Sequence, residues 1–329
     1  SGRDADTIHK ALEASVRETG RTYFERNEAN PLEEDLIIVD EASMLDISLF
    51  YHLLCALKDG ARLILVGDID QLPPVGAGEP LKDLMSWGYV PIVRLKRIFR
   101  QEEGSGIVEN AALIRKGEMC VPDEAGEFRI VYAADDEDAY RIVMDLCREL
   151  NYGNEENKML LQVLSPMYRG VCGVDHLNES LQEMIHGEKV PDGMKFFPGD
   201  KVMQTRNDYE KGIYNGDVGT VWTATPQKVF VRYFDKEVVY EGEERFDLRL
   251  AYAVTVHKSQ GSEYETVIFI LRPSQHNMLQ RNLLYTGVTR ARKNTILVTA
   301  PDALRRALAI QHTGNRYSLF LPFLNHEAL

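Results

Sequence analysis

Two short apolar runs in this 329-residue chain end in acids: Leu36-Ile37-Ile38-Val39 runs into Asp40-Glu41, and Arg62-Leu63-Ile64-Leu65-Val66 runs into Gly67-Asp68. In an open parallel sheet, ligands sit outside the carboxyl ends of the strands, so both acidic ends are expected to face one crevice. Adjacent carboxylates there can divide labour. One would hold Mg²⁺, directly or through water, and the other would orient or deprotonate a water attacking a γ-phosphate. Asp40 and Glu41 could also simply begin a solvated loop, with Asp46 capping the helix that follows. A second acid-ended strand at βαβ spacing weighs against that. The loop after Asp68 is stiffened by Pro73 and Pro74, which fix φ and bias the preceding residues away from helix. It carries Gln71 beside the acids, where it can sense a phosphate or a bound water.

The elements that must position these residues follow from apolar periodicity. Helical spacing over Leu45 to Leu57 joins the two runs into a parallel βαβ unit, expected to be buried on both faces. Further helices are expected over Ile107 to Lys116, Asp136 to Leu150 and Val174 to Ile185, with a strand over Leu160 to Leu164. The acidic run Asp135-Asp136-Glu137-Asp138 suits the positive end of a helix dipole. This is doubly wound α/β grammar. Between about Met194 and Leu250 it gives way to short β-rich runs broken by turn residues, with Asn215-Gly216 as a hairpin signal, which predicts a small inserted barrel. Thr266 to Leu271, Gln280 to Arg292, Thr295 to Val298 and Asp302 to Ile310 then restore the alternation.

Composition bounds the reading. With 44% hydrophobic and 27% charged residues, the chain is neither disordered nor collagenous. At roughly 150 residues per domain its length predicts two domains. No apolar run approaches the roughly 18 residues of a membrane span, and nothing resembles a signal peptide, so a soluble, cytoplasmic chain is expected. Cys55, Cys120, Cys147 and Cys172 show no CxxC pairing and read as reduced thiols. A net charge of −13 argues, taken alone, against a nucleic-acid partner. Local charge argues otherwise: from Ala251 to Ala300 the acids are Glu263 and Glu265, against Lys258, Arg272, Arg281, Arg290, Arg292 and Lys293.

Seven stretches in order carry a resemblance to superfamily 1 DNA helicases of the RecD-like branch. Asp40-Glu41-Ala42-Ser43 and Gly67-Asp68-Ile69-Asp70-Gln71-Leu72-Pro73 resemble motifs II and III, and Arg97-Ile98-Phe99-Arg100-Gln101 resembles motif IV. Ser165-Pro166-Met167-Tyr168-Arg169-Gly170 resembles a RecD-like segment, and Asn215-Gly216-Asp217-Val218-Gly219 falls where that family carries an SH3-like insert. Motif V is matched by Thr255-Val256-His257-Lys258-Ser259-Gln260-Gly261-Ser262-Glu263, and motif VI by Tyr285-Thr286-Gly287-Val288-Thr289-Arg290-Ala291. The resemblance implies two RecA-like parallel sheets of the P-loop NTPase type: a partial first domain over 1–97, a second over 98–193 and 251–329, and an SH3-like β-barrel insert over 194–250.

It also implies an ATP-dependent, 5′→3′ helicase of DNA repair or recombination that uses ATP and Mg²⁺, with Asp40 on the metal. In that reading Asp40, Glu41, Gln71, Arg100 and Arg290 are catalytic, the two arginines neutralising charge on the γ-phosphoryl group. Asp68, Gln260 and Glu263 lie near the nucleotide. Thr7, His9, Tyr168, Arg169, Thr255, His257, Lys258 and Ser259 contact single-stranded DNA. Motif V reads as strand, turn and helix start, a junction suited to phosphates. Lys201, Arg206, Lys211 and Tyr214 of the insert could guide a strand. Partners would be single-stranded DNA and duplex ends, with RecB- and RecC-like subunits as candidates. No GxxxxGK[ST] loop occurs in the 329 residues. In the family's order that loop precedes Thr7-Ile8-His9, so a fragment of a longer helicase is expected, which alone binds ATP poorly and does not hydrolyse it. The helicase part of a conjugative relaxase and a non-catalytic DNA-binding subunit are the alternatives.

Overall fold

The structure is a computed structural model that describes residues 5–16, 22–95, 104–208, 210–311 and 320–325. The chain divides into two units, Ser1–Lys96 with Gly314–Leu329, and Arg97–Thr313.

In the first unit, helix α1 (Ile8–Ala11) leads into the antiparallel pair β1 (Ala14–Val16) and β2 (Thr22–Phe24). Strand β3 (Leu36–Val39) is followed by helix α2 (Ile47–Cys55), then by β4 (Arg62–Leu65), parallel to β3, and by helix α3 (Pro80–Trp87). Helix α2 starts later than its apolar spacing suggests because Asp46 caps it, accepting from Leu49 N at 2.8 Å. Side chains alternate across the sheet. Ile37, Val39, Leu63 and Leu65 pack with Leu53 and Ala56. Leu36, Ile38, Ile64 and Val66 point the other way and are exposed, Ile38 by 61%. Burial on both faces was expected; among the described residues only one face is covered, because α2 supplies a layer on one side alone. The short helix Phe320–Leu324 also packs here, with Trp87 Nε1 donating to Leu324 O at 3.1 Å and Phe50 meeting Phe320 edge-on. This departs from the expected grouping of 251–329 with the second domain.

The second unit runs α4 (Gly106–Lys116), β5 (Phe128–Tyr132), α5 (Asp136–Glu149), α6 (Glu155–Lys158), β6 (Leu161–Ser165) and α7 (Val174–His186), then an insert, then β12 (Ala253–Thr255), β13 (Tyr264–Leu271), α8 (Arg281–Val288), β14 (Ala291–Thr299) and α9 (Pro301–Ala309). The strands form one parallel sheet in the order β12-β6-β13-β14-β5. Here both faces are covered. Ile268 and Ile270 of β13 pack with Val143 of α5 and Leu177 of α7. Phe269 lies against Gly287 of α8, where any Cβ would come within 2.5 Å of its ring. A single helix over Gln280 to Arg292 was expected, but α8 ends at Val288. The Arg290 carbonyl accepts from Tyr264 N at 2.9 Å, which draws the following residues into β14.

The insert holds β7 (Lys201–Gln204), β8 (Val218–Ala224), β9 (Lys228–Arg232), β10 (Glu237–Glu241) and β11 (Leu248–Leu250), paired antiparallel in the order β10-β9-β8-β7-β11 around Val202, Val221, Val231, Tyr240 and Leu248. Asn215-Gly216 does not make a tight hairpin. It closes a longer β7–β8 connection, which the Asp208–Ile213 bridge extends.

The insert's root is a buried polar network. Fully buried Asp200 accepts from Gln182 Nε2 at 2.5 Å, Phe197 N at 2.7 Å, His186 Nε2 at 2.8 Å and Tyr252 hydroxyl at 2.9 Å. Lys201 Nζ donates to Lys158 O at 2.9 Å, Leu161 O at 3.1 Å and Gln162 Oε1 at 2.9 Å. Lys201, expected among the cations that could guide a strand, is therefore interior. Burial, with Lys158 adding, pushes its amine down to about 7. The unfolded amine titrates near 10.4, so between these values the unfolded chain binds a proton that the folded chain does not, and stability must rise with pH. Urea unfolding from pH 7 to 9 should show wild type gaining on Lys201→Met by at most about 1.4 kcal/mol per pH unit. Parallel pH curves for the two proteins would refute this.

Candidate functional site

The acidic loops meet at the carboxyl ends of β3 and β4. Val66 N donates to Val39 O and Ala42 N to Val66 O, both at 2.8 Å, so the two strand ends are bound to each other. Gly67 makes the approach possible: a Cβ there would lie 2.8 Å from Ser43 N and 2.9 Å from Leu81. Asp40 is exposed, and its Oδ1 accepts from Glu41 N at 2.8 Å. Glu41 adopts φ 51°, a left-handed conformation that costs a non-glycine residue on the order of 1 kcal/mol. Such strain concentrates at functional sites. Asp68 Oδ1 accepts from Asp70 N at 3.0 Å, and Gln71 N donates to Asp68 O at 3.2 Å. The resulting turn sets Gln71 in a shallow pocket with Ser43, Glu79 and Lys82. Asp40, Glu41, Asp68 and Gln71 are thus brought to one end of one sheet.

Among the described residues no group of three or more acids, histidines or cysteines is arranged to hold a metal. Mg²⁺ is usually held by one or two carboxylates, with phosphates and water completing its shell. Asp40 supplies such a carboxylate. Elsewhere in this unit, Thr7 caps α1, its hydroxyl accepting from Lys10 N at 3.2 Å, and exposed His9 lies 5.9 Å from the Phe24 ring. Arg100 lies outside the described residues.

In the second unit the segment after β12 is a run of turns and not the expected helix start. Thr255 and Ser259 are buried; Ser259 hydroxyl donates to Val256 O at 2.8 Å, and Thr255 hydroxyl accepts from Lys258 N at 3.2 Å. Their side chains hold the turn together, leaving Lys258 to face outward, where its Nζ reaches Asn215 Oδ1 at 2.5 Å. Burial lowers the His257 pKa, which favours the neutral ring. Gln260 is half-buried. Glu263 pairs with Arg292 at 2.8 Å. Arg290 is buried, donating to Thr286 O at 3.2 Å and Ser262 O at 3.1 Å. The segments matching motifs V and VI are therefore fastened together.

Tyr168 and Arg169 are exposed on the loop after β6. That loop folds over the start of α7, Asp175 N donating to Tyr168 O at 3.0 Å. Gly173 is required there, since a Cβ would lie 2.5 Å from Tyr168 O. Arg249, outward-pointing in the alternation Leu248-Arg249-Leu250, is exposed, with its guanidinium 5.9 Å from the centroid of the Tyr168 ring.

Three family models match. An AAA domain covers residues 1–129, an ATP-dependent RecD-like DNA helicase SH3 domain covers 177–233, and a UvrD-like helicase C-terminal domain covers 250–298. The chain is 37% identical over 323 residues to the ATP-dependent RecD2 DNA helicase of Deinococcus radiodurans, covering 97% of this chain and 43% of that protein. It is 32% identical over 339 residues to the RecBCD enzyme subunit RecD of Mycolicibacterium smegmatis, covering 97% and 60%. The chain thus spans roughly half the length of these two relatives. In fold it is similar to Bacteroides Pif1 bound to ssDNA, with a TM-score of 0.55 at 19% identity, over 88% of this chain and 78% of that one.

Proposed function

Because the chain belongs to the RecD-like family of superfamily 1 helicases, we propose that it forms the motor portion of an ATP-dependent DNA helicase that moves along single-stranded DNA and unwinds duplex. Movement 5′→3′ and a role in repair or recombination rest on the family alone. The observation that carries the reading is the convergence of Asp40, Glu41, Asp68 and Gln71 at the bonded carboxyl ends of two parallel strands. When bound, ATP with Mg²⁺ supplies the phosphoanhydride whose cleavage drives movement. Asp40 would hold the ion, Glu41 would take the proton of the attacking water, and Gln71 would orient that water or sense the γ-phosphate. The outward cations of the second unit, Arg169 and Lys258, would hold the DNA backbone without reading its sequence. RecB- and RecC-like proteins are the protein partners to test, by co-purification.

The first test is binding of a fluorescent single-stranded oligonucleotide across a salt series. Affinity should fall steeply, with a logarithmic slope of about 0.7 for each phosphate contacted. Binding that is absent, or that ignores salt, overturns the reading.

A further inference from the structure

The chain begins in the first unit, passes through the second and returns: residues Gly314–Leu329 belong with Ser1–Lys96 and not with α9, which precedes them. The returning segment Phe320-Leu321-Pro322-Phe323-Leu324 is a five-residue helix. A helix that short does not hold itself together in water, so its shape depends on what it lies against. Trp87 Nε1, on the last residue of α3, donates to Leu324 O at 3.1 Å, and the Phe320 ring meets that of Phe50 on α2 edge to face at 5.8 Å. Phe50 stands outside the cluster that packs on β3 and β4, yet it is only 3% exposed. Phe320, half-buried, is part of its cover, whereas Phe323 is 68% exposed.

The opposite end of α3 reaches the acidic loops. Its first turn supplies Leu81 and Lys82 to the pocket in which Gln71 lies, and Glu79, just before it, supplies a third wall. Leu81 also closes on Gly67, the glycine that leads into Asp68. An eight-residue helix is about 12 Å long and moves as a rod, so a shift at Trp87 is felt at Leu81 and Lys82. One end of α3 is thus held by the returning chain while the other lines the Gln71 pocket.

We propose that Phe320 and Leu324 form a strap that positions Gln71 through α3: the returning chain clamps α2 to α3, and the clamped helix fixes the walls of the pocket that holds Gln71. Both are positioning residues. The inference deepens the helicase reading and depends on it for the chemistry that Gln71 performs. The strap also gives the first unit a second covalent connection to the second unit, in addition to that between Lys96 and Arg97.

The natural polypeptide that contains this sequence is assayed first for DNA-stimulated ATP hydrolysis; its absence defeats the helicase reading and this inference with it. Given activity, Phe320→Ala should lower kcat roughly 3- to 10-fold, less than the roughly 100-fold that a misplacement of about 1 Å can bring. The KM for ATP should stay within about twofold of wild type. Phe320→Leu should restore most of the rate, and Phe323→Ala should match wild type. In a Gln71→Ala background Phe320→Ala should cause no further loss, because the strap acts through that residue. Hydrogen exchange should locate the change: amides of α3 and of residues 68–75 should exchange roughly tenfold faster in Phe320→Ala, with those of β13 and β14 unchanged. Losses that multiply in the double variant, or faster exchange in α3 with kcat as in wild type, would show that the strap adds stability alone. Either outcome overturns the inference while leaving the helicase reading intact.

Discussion

Glu41→Gln, made in the natural polypeptide that contains this sequence, should lower DNA-stimulated ATP hydrolysis roughly 100- to 1000-fold, the range expected when a general base is lost. The size follows from geometry. Asp40 Oδ1 accepts from Glu41 N, which pins the neighbouring carboxylate. Glu41 holds a left-handed backbone conformation that a non-glycine residue adopts only at a cost. Only one of the two adjacent acids needs to meet the attacking water. Glutamine keeps the shape and hydrogen-bonding reach of glutamate but cannot take a proton. The KM for ATP should therefore stay within about threefold of wild type while kcat falls, the pattern of an interaction realised only in the transition state. Asp40→Asn should instead raise the Mg²⁺ concentration needed for half-maximal rate. Phosphate release measured against ATP and Mg²⁺ separates the two. A Glu41→Gln enzyme within tenfold of wild type would place the base elsewhere.

The second large effect concerns Asp200. Asp200→Ala should cost about 3–5 kcal/mol of stability, because four donors that converge on a fully buried carboxylate lose their acceptor together. The donors come from α7 (Gln182 and His186), from the turn before β7 (Phe197) and from the segment that leaves the insert (Tyr252). Truncation therefore loosens three elements at one point. Urea unfolding followed by far-UV circular dichroism would measure the loss, and a change under 1 kcal/mol would show that the network does not hold the root. Asp200→Asn, which keeps an acceptor oxygen but cannot serve every donor, should fall between wild type and Ala.

Much of this architecture is written in local pattern. The apolar runs Leu36 to Val39 and Arg62 to Val66 gave strands within a residue of their ends, and α4 and α7 end within a residue of the expected Lys116 and Ile185, each stopped by a left-handed glycine, Gly117 and Gly187. Asp135 caps α5 with three acids in the first turn, so the acidic run read as a helix start is one. Where the local pattern misled, pairing between residues distant in sequence had intervened. Gln280 to Arg292 reads as one helix, yet Tyr264, 26 positions before Arg290, claims the Arg290 carbonyl and turns the tail into a strand. Lys201 looked like a surface cation because its acceptors, Lys158, Leu161 and Gln162, lie about 40 positions away. Hydroxyls at Thr255 and Ser259 suggested a nucleic-acid contact, but the turn they stabilise uses them internally. The nearness of Arg249 to the Tyr168 ring is hidden for the same reason, since the fold and not the chain brings the two together.

The root of the insert bears on how such a protein can change over generations. The chain enters the barrel at Lys201 and leaves it at Ala251, and Ala251 N donates to Lys201 O at 2.8 Å. Entry and exit are neighbours, so the barrel is a cassette on the host sheet. It could lengthen, shrink or be exchanged without rerouting β6 or β12, because the two ends already touch. The host nevertheless keeps Lys158, Gln162, Gln182 and Tyr252 turned towards the cassette. A replacement that joined the ends but did not bring its own Asp and Lys would take from Gln182, His186 and Tyr252 their carboxylate acceptor and from Gln162 Oε1 its ammonium donor. The cassette is therefore free in length and sequence along its strands, and constrained at the two residues where it begins.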